Sequence, residues 1–355
     1  MKKKILIGLV VVILVAAVVV TLFMSAMSQP FYKPGMVREG KNLRAPLTPP
    51  AQLGNPDFWQ VESDIQLHHF SHGAGRVVLV IHGGPGVPFL QPMSGLESLA
   101  GEYQFHYYDQ RGSGQSTRPF DRFDSPNTYE NMTALEQTLG LGAQIADIER
   151  IRQILGEEKL ILVGHSWGGF LASLYAAEFP ERVEALILVS PATMLVMPQE
   201  EADLFDTVRA RLPQGEQAAF DAFMDDYFDF GSGLFQKSEA DLIAMQVQFA
   251  EYYGVAMEIN TTFPEQGQPG GWMVWAQYLS LGQKHDYRPA LQKVAVPALV
   301  LHGADDLQSE SASRAYAEVF PNAQFAVIAE ASHFSFEEQP EEFARLVAEF
   351  LAGLK

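Results

Sequence analysis

The feature that most constrains this chain is a serine between two glycines, at the junction of a predicted strand and a predicted helix. Ser166 stands in the run Gly164-His165-Ser166-Trp167-Gly168. The apolar residues 159–163 before it predict a buried strand, and the small residues 169–178 after it predict a helix that packs closely on a sheet. The pattern Gly-x-Ser-x-Gly is common by chance, but between a strand and a helix it predicts a strained turn that exposes the serine hydroxyl.

Short apolar runs alternate with amphipathic stretches along most of the chain. Predicted strands cover residues 76–82, 103–109, 159–163, 185–190, 296–302 and 324–329, and predicted helices cover 144–155, 169–178 and 340–354. Buried strands that alternate with helices are typical of the α/β class. We therefore expect a mostly parallel sheet with helices on both faces.

The alternation stops between residues 193 and 287, where three helical segments precede a stretch rich in proline and glycine. This region predicts a helical cap inserted into the core, which then comprises residues 57–192 and 288–355. Residues 29–56 are rich in proline and polar side chains. They predict a stalk or an extended lead-in.

Residues 1–28 predict either a membrane anchor or a cleaved signal. Three lysines at positions 2–4 precede an apolar run over residues 5–24. About 20 apolar residues span a bilayer as a helix, whereas the apolar part of a signal peptide has about 7–15. The length favours an uncleaved transmembrane helix, although Ala26-Met27-Ser28 resembles a cleavage site. The lysines stay in the cytoplasm, so the rest is expected to be periplasmic or extracellular, or secreted after cleavage.

Acidic residues outnumber basic ones by 43 to 24, which gives a formal net charge of −19. Such a surface repels the phosphate backbone, so a nucleic-acid partner is excluded. The chain has no cysteine, which excludes disulfides and thiolate metal sites. The expected partners are a peptide or small-molecule substrate and, through residues 1–28, a membrane.

Two later predicted strands end in residues that could activate the serine. A serine hydroxyl needs a base, and the base needs a carboxylate that orients it. Strand 296–302 is followed by Asp305 and Asp306, either of which could be the acid, and strand 324–329 is followed by His333. The order serine, acid, histidine is the one that accompanies this type of turn. The sequence thus predicts a catalytic set of Ser166, one of the two aspartates and His333.

A glycine-rich turn, His82-Gly83-Gly84-Pro85-Gly86, follows the first predicted strand. Acyl transfer needs two backbone N–H groups that stabilise the oxyanion. One is expected from Trp167, the residue after the serine, and the other from this turn, whose glycines let the backbone approach a substrate. A phosphate-binding loop is the alternative, but the motifs of such loops are missing.

Three motifs together resemble the proline iminopeptidase (prolyl aminopeptidase) family of α/β-hydrolase serine peptidases. They are HGGPG at residues 82–86, YDQRGSGQS at 108–116 and GHSWGG at 164–169. The similarity runs from about residue 75 to 191 and from 297 to the end. It implies the α/β-hydrolase fold with a helical cap, removal of N-terminal residues, often proline, from peptides, and neither a cofactor nor a metal.

The resemblance also implies roles for single residues. It assigns the second oxyanion donor to Gly84. It selects Asp306 over Asp305, because the acid of the family lies three residues after the glycine that ends its strand. It implies a structural role for Asp109 and Arg111, beneath the site.

The chain departs from the family pattern in several places. Members usually have glycine before the nucleophile, where His165 stands, and Leu307 follows the acid. Aminopeptidases of the family bind the free amine of the substrate with acidic residues, yet the cap has Trp275-Ala276-Gln277 where a Trp-Glu pair is expected. The candidates that remain for this role are Glu251, Glu258 and Glu265. The sequence singles out none of them, so the substrate-binding residues stay open.

Three functions follow from these observations. The first is a serine hydrolase that forms an acyl-enzyme and acts as an aminopeptidase, with proline preferred. The second is a carboxylesterase or lactonase-type hydrolase of small apolar esters. The third is a non-catalytic binding protein on the same fold, against which the complete catalytic set argues.

Overall fold

The computed structural model describes residues 29–199, 203–231, 233–259 and 267–354. The predicted membrane anchor or signal, residues 1–28, lies outside these ranges. Within them, no helix is both long enough and apolar enough to cross a membrane.

Eight strands form the central sheet of the described chain, and two short strands pair separately. The strands are β1 (Phe58–Glu62), β2 (Ile65–Gly73), β3 (Arg76–Ile81), β4 (Tyr103–Tyr108), β5 (Leu160–His165), β6 (Val183–Val189), β7 (Val196–Met197), β8 (His285–Asp286), β9 (Ala298–Gly303) and β10 (Ala323–Ile328). The order across the sheet is β1-β2-β4-β3-β5-β6-β9-β10. Strands β1, β2 and β4 pair antiparallel, and all other neighbours in this sheet pair parallel. The prediction of a mostly parallel sheet is confirmed.

Helices cover both faces of this sheet, and they bury the central strands β3, β5, β6 and β9 on both sides. The helices are α1 (Thr128–Leu139), α2 (Leu141–Leu155), α3 (Trp167–Glu178), α4 (Leu204–Arg211), α5 (Gln217–Tyr227), α6 (Glu239–Met257), α7 (Trp272–Leu281), α8 (Arg288–Leu291), α9 (Glu310–Val319), α10 (Ser335–Glu338) and α11 (Pro340–Ala352). In β3, Leu79 and Ile81 pack in the core layer that contains α2 and α3. Val78 and Val80 pack in the opposite layer with α11, as the alternation of a strand requires.

The region between β6 and β9 contains the helices that were predicted to form a cap. Helices α4 to α7 pack in one apolar cluster, which includes Trp272, Trp275 and Tyr227 and extends to Leu135 and Leu139 of α1. Strand β7, which precedes the cap helices, pairs antiparallel with β8, which follows them. The segments that enter and leave the cap therefore lie side by side.

Residues 29–56, interpreted from sequence as a stalk or an extended lead-in, form no helix or strand. Their side chains nevertheless enter the core, because Tyr32 and Val37 are fully buried. The carboxylate of Glu178, at the end of α3, accepts hydrogen bonds from Tyr32 Oη at 2.9 Å, from the Gly35 amide at 2.7 Å and from the Arg38 amide at 2.9 Å. The lead-in is therefore packed on the core by a buried carboxylate.

The strand order places the ends of β3 and β5 next to each other. From β3 the chain continues to β4 on one side, and it later returns to β5 on the other side. Ile81 and Gly164, near the ends of the two strands, are direct partners in the ladder. In open α/β sheets, ligands bind where the strand order reverses in this way, at the carboxyl ends of the strands.

Candidate active site

Ser166 lies in a sharp turn between β5 and α3, as the sequence predicted. Its φ of 53° and ψ of −119° are unusual for a residue with a side chain, and such a conformation costs about 1–3 kcal/mol. Two backbone hydrogen bonds hold the turn, from the Ser166 amide to Val189 O at 2.8 Å and from the Gly169 amide to Ser166 O at 2.9 Å. The strain is thus balanced by the surrounding sheet and helix.

The glycines on either side of Ser166 are required by close backbone contacts. A Cβ atom at Gly168 would lie 2.1 Å from Ile81 O, and one at Gly164 would lie 2.5 Å from Gly168 O. Gly83, in the preceding loop, approaches the serine itself, since a Cβ there would lie 2.7 Å from Ser166 Cβ. No side chain fits at these positions without moving the backbone.

His333 and Asp306 form a buried pair at the ends of β10 and β9. The Nδ1–H group of His333 lies 2.9 Å from Asp306 Oδ2 and 3.1 Å from Asp306 Oδ1. Asp305 is exposed, and its amide donates to Ala331 O at 2.8 Å. Of the two aspartates that the residues left open, Asp306 is the one that contacts the histidine.

The Asp306 carboxylate is held in its charged form. Burial alone would raise its pKa, but the charge of His333 and hydrogen bonds from His333 and the Gln308 amide lower the pKa below its usual value. The Gln308 amide lies 2.9 Å from Asp306 Oδ1, and the Gln308 side chain donates to Ser190 O at 3.1 Å. The sequence analysis did not include Gln308 in the site. The only signal for it in the sequence is its position two residues after Asp306.

His165, the departure from the family pattern beside the nucleophile, contacts the histidine of the pair. Its Nε2–H donates to the backbone oxygen of His333 at 2.9 Å, and the two ring centroids are 4.7 Å apart. Burial, together with the nearby charge of His333, lowers the pKa of His165 to about 3. The ring is therefore neutral at any working pH and acts as a hydrogen-bond donor to the loop that carries His333.

The glycine-rich loop after β3 borders the serine. Within the described ranges, neither the Gly84 amide nor the Trp167 amide donates a hydrogen bond to another group of the protein. His82 braces this loop, because it donates through Nδ1–H to Gly83 O at 3.0 Å and accepts at Nε2 from the Gln110 amide at 3.0 Å. Burial lowers the pKa of His82 to about 4, so the ring remains neutral and can accept this bond.

Asp109 and Arg111 make buried contacts beneath the site. Arg111 donates to Asp147 Oδ2 at 2.6 Å and to Glu62 Oε1 at 2.7 Å. Asp109 accepts from His68 at 3.1 Å and from the Gln115 amide at 2.8 Å. Both side chains tie the loop after β4 to its neighbours, in the structural role that the sequence analysis expected.

A cavity of about 480 Å³ connects the serine with the cap. It is lined by Gly84, Ser166 and His333 from the core and by Phe249 and Tyr253 from helix α6. A volume of this size is in the usual range for a small-molecule site. The structure thus brings the predicted nucleophile, the predicted base and one predicted oxyanion donor to one space.

The residues considered for binding an amine lie elsewhere. Glu251 and Glu258 are exposed and do not line the cavity, and Glu265 lies outside the described residues. Gln277 is fully buried and accepts from the Trp167 indole at 2.5 Å. Among the described residues that line the cavity, Glu337 is the only carboxylate. Its Oε2 accepts from Ser94 Oγ at 2.5 Å.

The described part of the chain contains no group of three or more His, Asp or Glu side chains arranged to hold a metal ion.

The chain belongs to the α/β-hydrolase fold family, whose profile matches residues 76–340. It is similar to the proline iminopeptidase of Heyndrickxia coagulans, with 28% identity over 294 residues that cover 80% of this chain and 93% of that protein. The proline iminopeptidase of Lactobacillus delbrueckii subsp. bulgaricus is 25% identical over 288 residues, or 77% of this chain and 89% of that protein. These relatives confirm the resemblance that the three motifs indicated, and they identify the chain as a hydrolase.

Solved structures show the same fold at lower sequence identity. An esterase from Thermogutta terrifontis superposes with a TM-score of 0.53 at 22% identity, over 82% of this chain and 94% of that one. At this level of identity the similarity concerns the fold alone.

Proposed function

We propose that this protein is a serine hydrolase that forms an acyl-enzyme on Ser166. The observation that carries the proposal is the cavity shared by Ser166, His333 and the Gly84 loop, with His333 held through Nδ1 by Asp306. A nucleophile, a base with an orienting acid and unpaired amides are the parts that acyl transfer requires.

Each residue then has one role in the reaction. His333 takes the Ser166 proton at Nε2, while Asp306 keeps Nδ1 protonated and stabilises the imidazolium that forms. Ser166 Oγ attacks the carbonyl carbon, and the Gly84 and Trp167 amides stabilise the oxyanion. His333 returns the proton to the leaving group, and water activated by the same histidine then releases the acyl group from Ser166.

We propose an aminopeptidase activity, in which an N-terminal residue, preferably proline, is the acyl group. The names of the relatives and the paired motifs HGGPG and YDQRGSGQS support this choice. The aromatic lining of the cavity suits a proline ring. Glu337 is the described carboxylate best placed to attract the free amine of such a substrate.

Hydrolysis of small apolar esters is the second candidate. It is favoured by the hydrogen bonds that Gln277 and Glu337 already make within the protein. The cap has Trp275-Ala276-Gln277 where the family pattern has a Trp-Glu pair, and Gln277 already accepts a hydrogen bond from the Trp167 indole. Glu337 already accepts from Ser94. A substrate without a free amine would need neither residue.

A panel of three substrates distinguishes the two activities. The purified protein is given proline anilide, N-acetyl-proline anilide and short p-nitrophenyl esters, and turnover is measured for each. Cleavage of the free-amine anilide alone supports the aminopeptidase. Turnover of the esters without the anilides supports the esterase.

Matched variants test the catalytic roles on whichever substrate is cleaved. Ser166→Ala should abolish turnover and labelling by a fluorophosphonate probe, because Ser166 is the only serine among the described residues that line the cavity. Asp306→Asn should lower kcat by about 10³–10⁴-fold, whereas Asp305→Asn, at the exposed neighbour, should leave it within twofold. Turnover retained by folded Ser166→Ala protein would refute the mechanism. A wild-type protein that the probe fails to label would favour the binding-protein alternative.

A further inference from the structure

One face of helix α6 borders the cavity above His333. Gln246, Phe249, Ala250 and Tyr253 of this helix line the cavity. Their spacing of three, four and seven residues places them on the same face of the helix. Two of these four side chains, Gln246 and Tyr253, carry polar atoms.

Among the described residues, only one of these two polar side chains has a hydrogen-bond partner. The Gln246 amide donates to Tyr227 Oη at 2.5 Å. The Tyr253 hydroxyl is buried and makes no hydrogen bond with any residue that the structure describes. Buried polar groups are normally paired, and one that is left unpaired calls for an explanation. A substrate group in the cavity would supply the missing partner.

Tyr253 lies against the predicted base. The centroids of the Tyr253 and His333 rings are 6.2 Å apart, with an angle of 66° between the rings. His333 is held by Asp306 through Nδ1, so Nε2 is the nitrogen that delivers a proton to the leaving group. The contact with His333 therefore places the Tyr253 ring beside the residue proposed to serve the leaving group.

The hydroxyl of Tyr253 is suited to donate. Burial, followed by the negative charges of Asp306 and Glu338, raises its pKa well above the usual value. The group stays protonated throughout the working pH range, and its hydrogen is available to an acceptor on the substrate.

We propose that Tyr253 is a substrate-binding residue whose hydroxyl donates a hydrogen bond to an oxygen in the leaving group, beyond the bond that is cleaved. The inference rests on the proposed function, and it adds a preference for substrates that have a carbonyl oxygen on that side. In a peptide this acceptor is the carbonyl of the residue that follows the cleaved bond. In an ester it is a carbonyl in the alcohol portion.

The test compares two substrates that share an acyl group and differ in the leaving group. Proline anilide has no acceptor oxygen in its leaving group, whereas prolyl-alanine amide has a carbonyl there. Tyr253→Phe removes only the hydroxyl, and it should lower kcat/KM for the amide by about tenfold and for the anilide by less than about twofold. If the protein takes esters, the matched pair is a phenyl ester and a glycolamide ester of one acid.

Tyr252→Phe is the matched control. Tyr252 is the adjacent residue of α6, and it packs against Phe220 and Phe223 inside the cap. Its substitution should leave both substrates unaffected. The Tyr253→Phe protein should melt at the same temperature as the wild type or higher, because it loses an unpaired buried hydroxyl.

Three results would overturn the inference. They are an equal loss on both substrates, no loss on either, and an equal effect of the two tyrosine variants. A wild-type protein that turns over none of these compounds would instead refute the proposed function, and with it this inference.

Discussion

His165 shows how one side chain beside Ser166 can position His333, the proposed base. It is the last residue of β5, and it donates a hydrogen bond to the backbone oxygen of His333. Phe334 and Phe336 pack around its ring, at centroid distances of 5.4 and 5.1 Å. The ring is neutral, so its contribution is geometric. One hydrogen bond therefore connects the turn that contains Ser166 with the loop that contains His333.

Removal of this hydrogen bond should slow the reaction without weakening substrate binding. We expect His165→Leu to lower kcat by about tenfold, the effect of one lost hydrogen bond, and to leave KM within about twofold. His165→Gln, which restores an N–H group at similar reach, should recover most of the rate. Because the pKa of His165 is about 3, its protonation should not appear in the kcat profile above pH 5. Equal losses in the Leu and Gln variants would contradict a positioning role.

At the scale of elements, the sequence was most informative where strands are buried on both sides. The apolar runs at β3, β5, β6 and β9 predicted strands within a few residues of their observed bounds. The antiparallel edge of β1 and β2 was not predicted as strands, because histidines and polar residues interrupt its alternation. Helix α7 was missed for the opposite reason, since Trp272–Leu281 is apolar on nearly all sides and shows no periodic contrast.

The candidate site, too, was predicted from the sequence only in part. The order of Ser166, the acid and His333 follows from strands that end at one edge of a sheet, and the sequence shows that order directly. The choice between Asp305 and Asp306 depends on the shape of a turn, and the residues alone do not specify it. The contact of His165 with the His333 backbone joins segments far apart in the chain, so no local pattern could reveal it.

Helix α1 carries a buried carboxyl whose protonation should affect stability. Burial raises the pKa of Glu136 to about 7, although Ser280 donates to it at 2.6 Å. Ser280 Oγ has one hydrogen and also lies 2.9 Å from Ala276 O. If Glu136 is protonated, it can donate to Ser280 Oγ while Ser280 donates to Ala276 O. The carboxyl, the hydroxyl and the carbonyl then each have a partner. The contact therefore agrees with the raised pKa.

The sign of the pH dependence follows from this shift. The folded-state pKa of Glu136 lies above the ordinary 4.5, so the folded protein binds the proton more tightly than the unfolded chain. Stability should fall by up to roughly 3 kcal/mol as the pH rises from about 4.5 to 7. Glu136→Gln removes this ionisation, and urea unfolding should show a gain over wild type at pH 8 that is absent at pH 4. Glu130→Gln, at an exposed position of the same helix, is the control. Equal gains at both pH values would refute the assignment.

At the scale of the whole molecule, the N-terminal lead-in is part of the folded core. The amide of Tyr32 donates to Ser280 O at 3.1 Å, and Arg150 donates to Pro46 O at 3.0 Å. Together with Glu178, these contacts fasten the lead-in to α2, α3 and the end of α7. The folded unit therefore begins well before the first strand of the sheet.

Loss of the Glu178 charge should release this segment. Glu178→Gln replaces one of the two carboxylate oxygens by an NH2 group, so part of the lead-in loses its acceptor. The change should destabilise the protein by about 2–4 kcal/mol in urea unfolding. Trypsin should then cut faster at Arg38, Lys41 and Arg44. Activity should persist at low temperature, because Glu178 and Ser166 lie at opposite ends of α3. Glu181→Gln, at an exposed partner of Arg38, should change stability by less than about 1 kcal/mol. Unchanged trypsin cleavage in Glu178→Gln would contradict this account.

The pairing of β7 with β8 has a consequence for how such a protein could be redesigned. The chain enters the helical insertion through β7 and leaves it through β8, and the two strands are paired. This strand pair is therefore a suitable place to join a different insertion to the core. A different insert joined there would meet the same serine, histidine and aspartate. The helices that cover the cavity and the residues proposed to cleave the bond are therefore encoded in separate stretches of the gene.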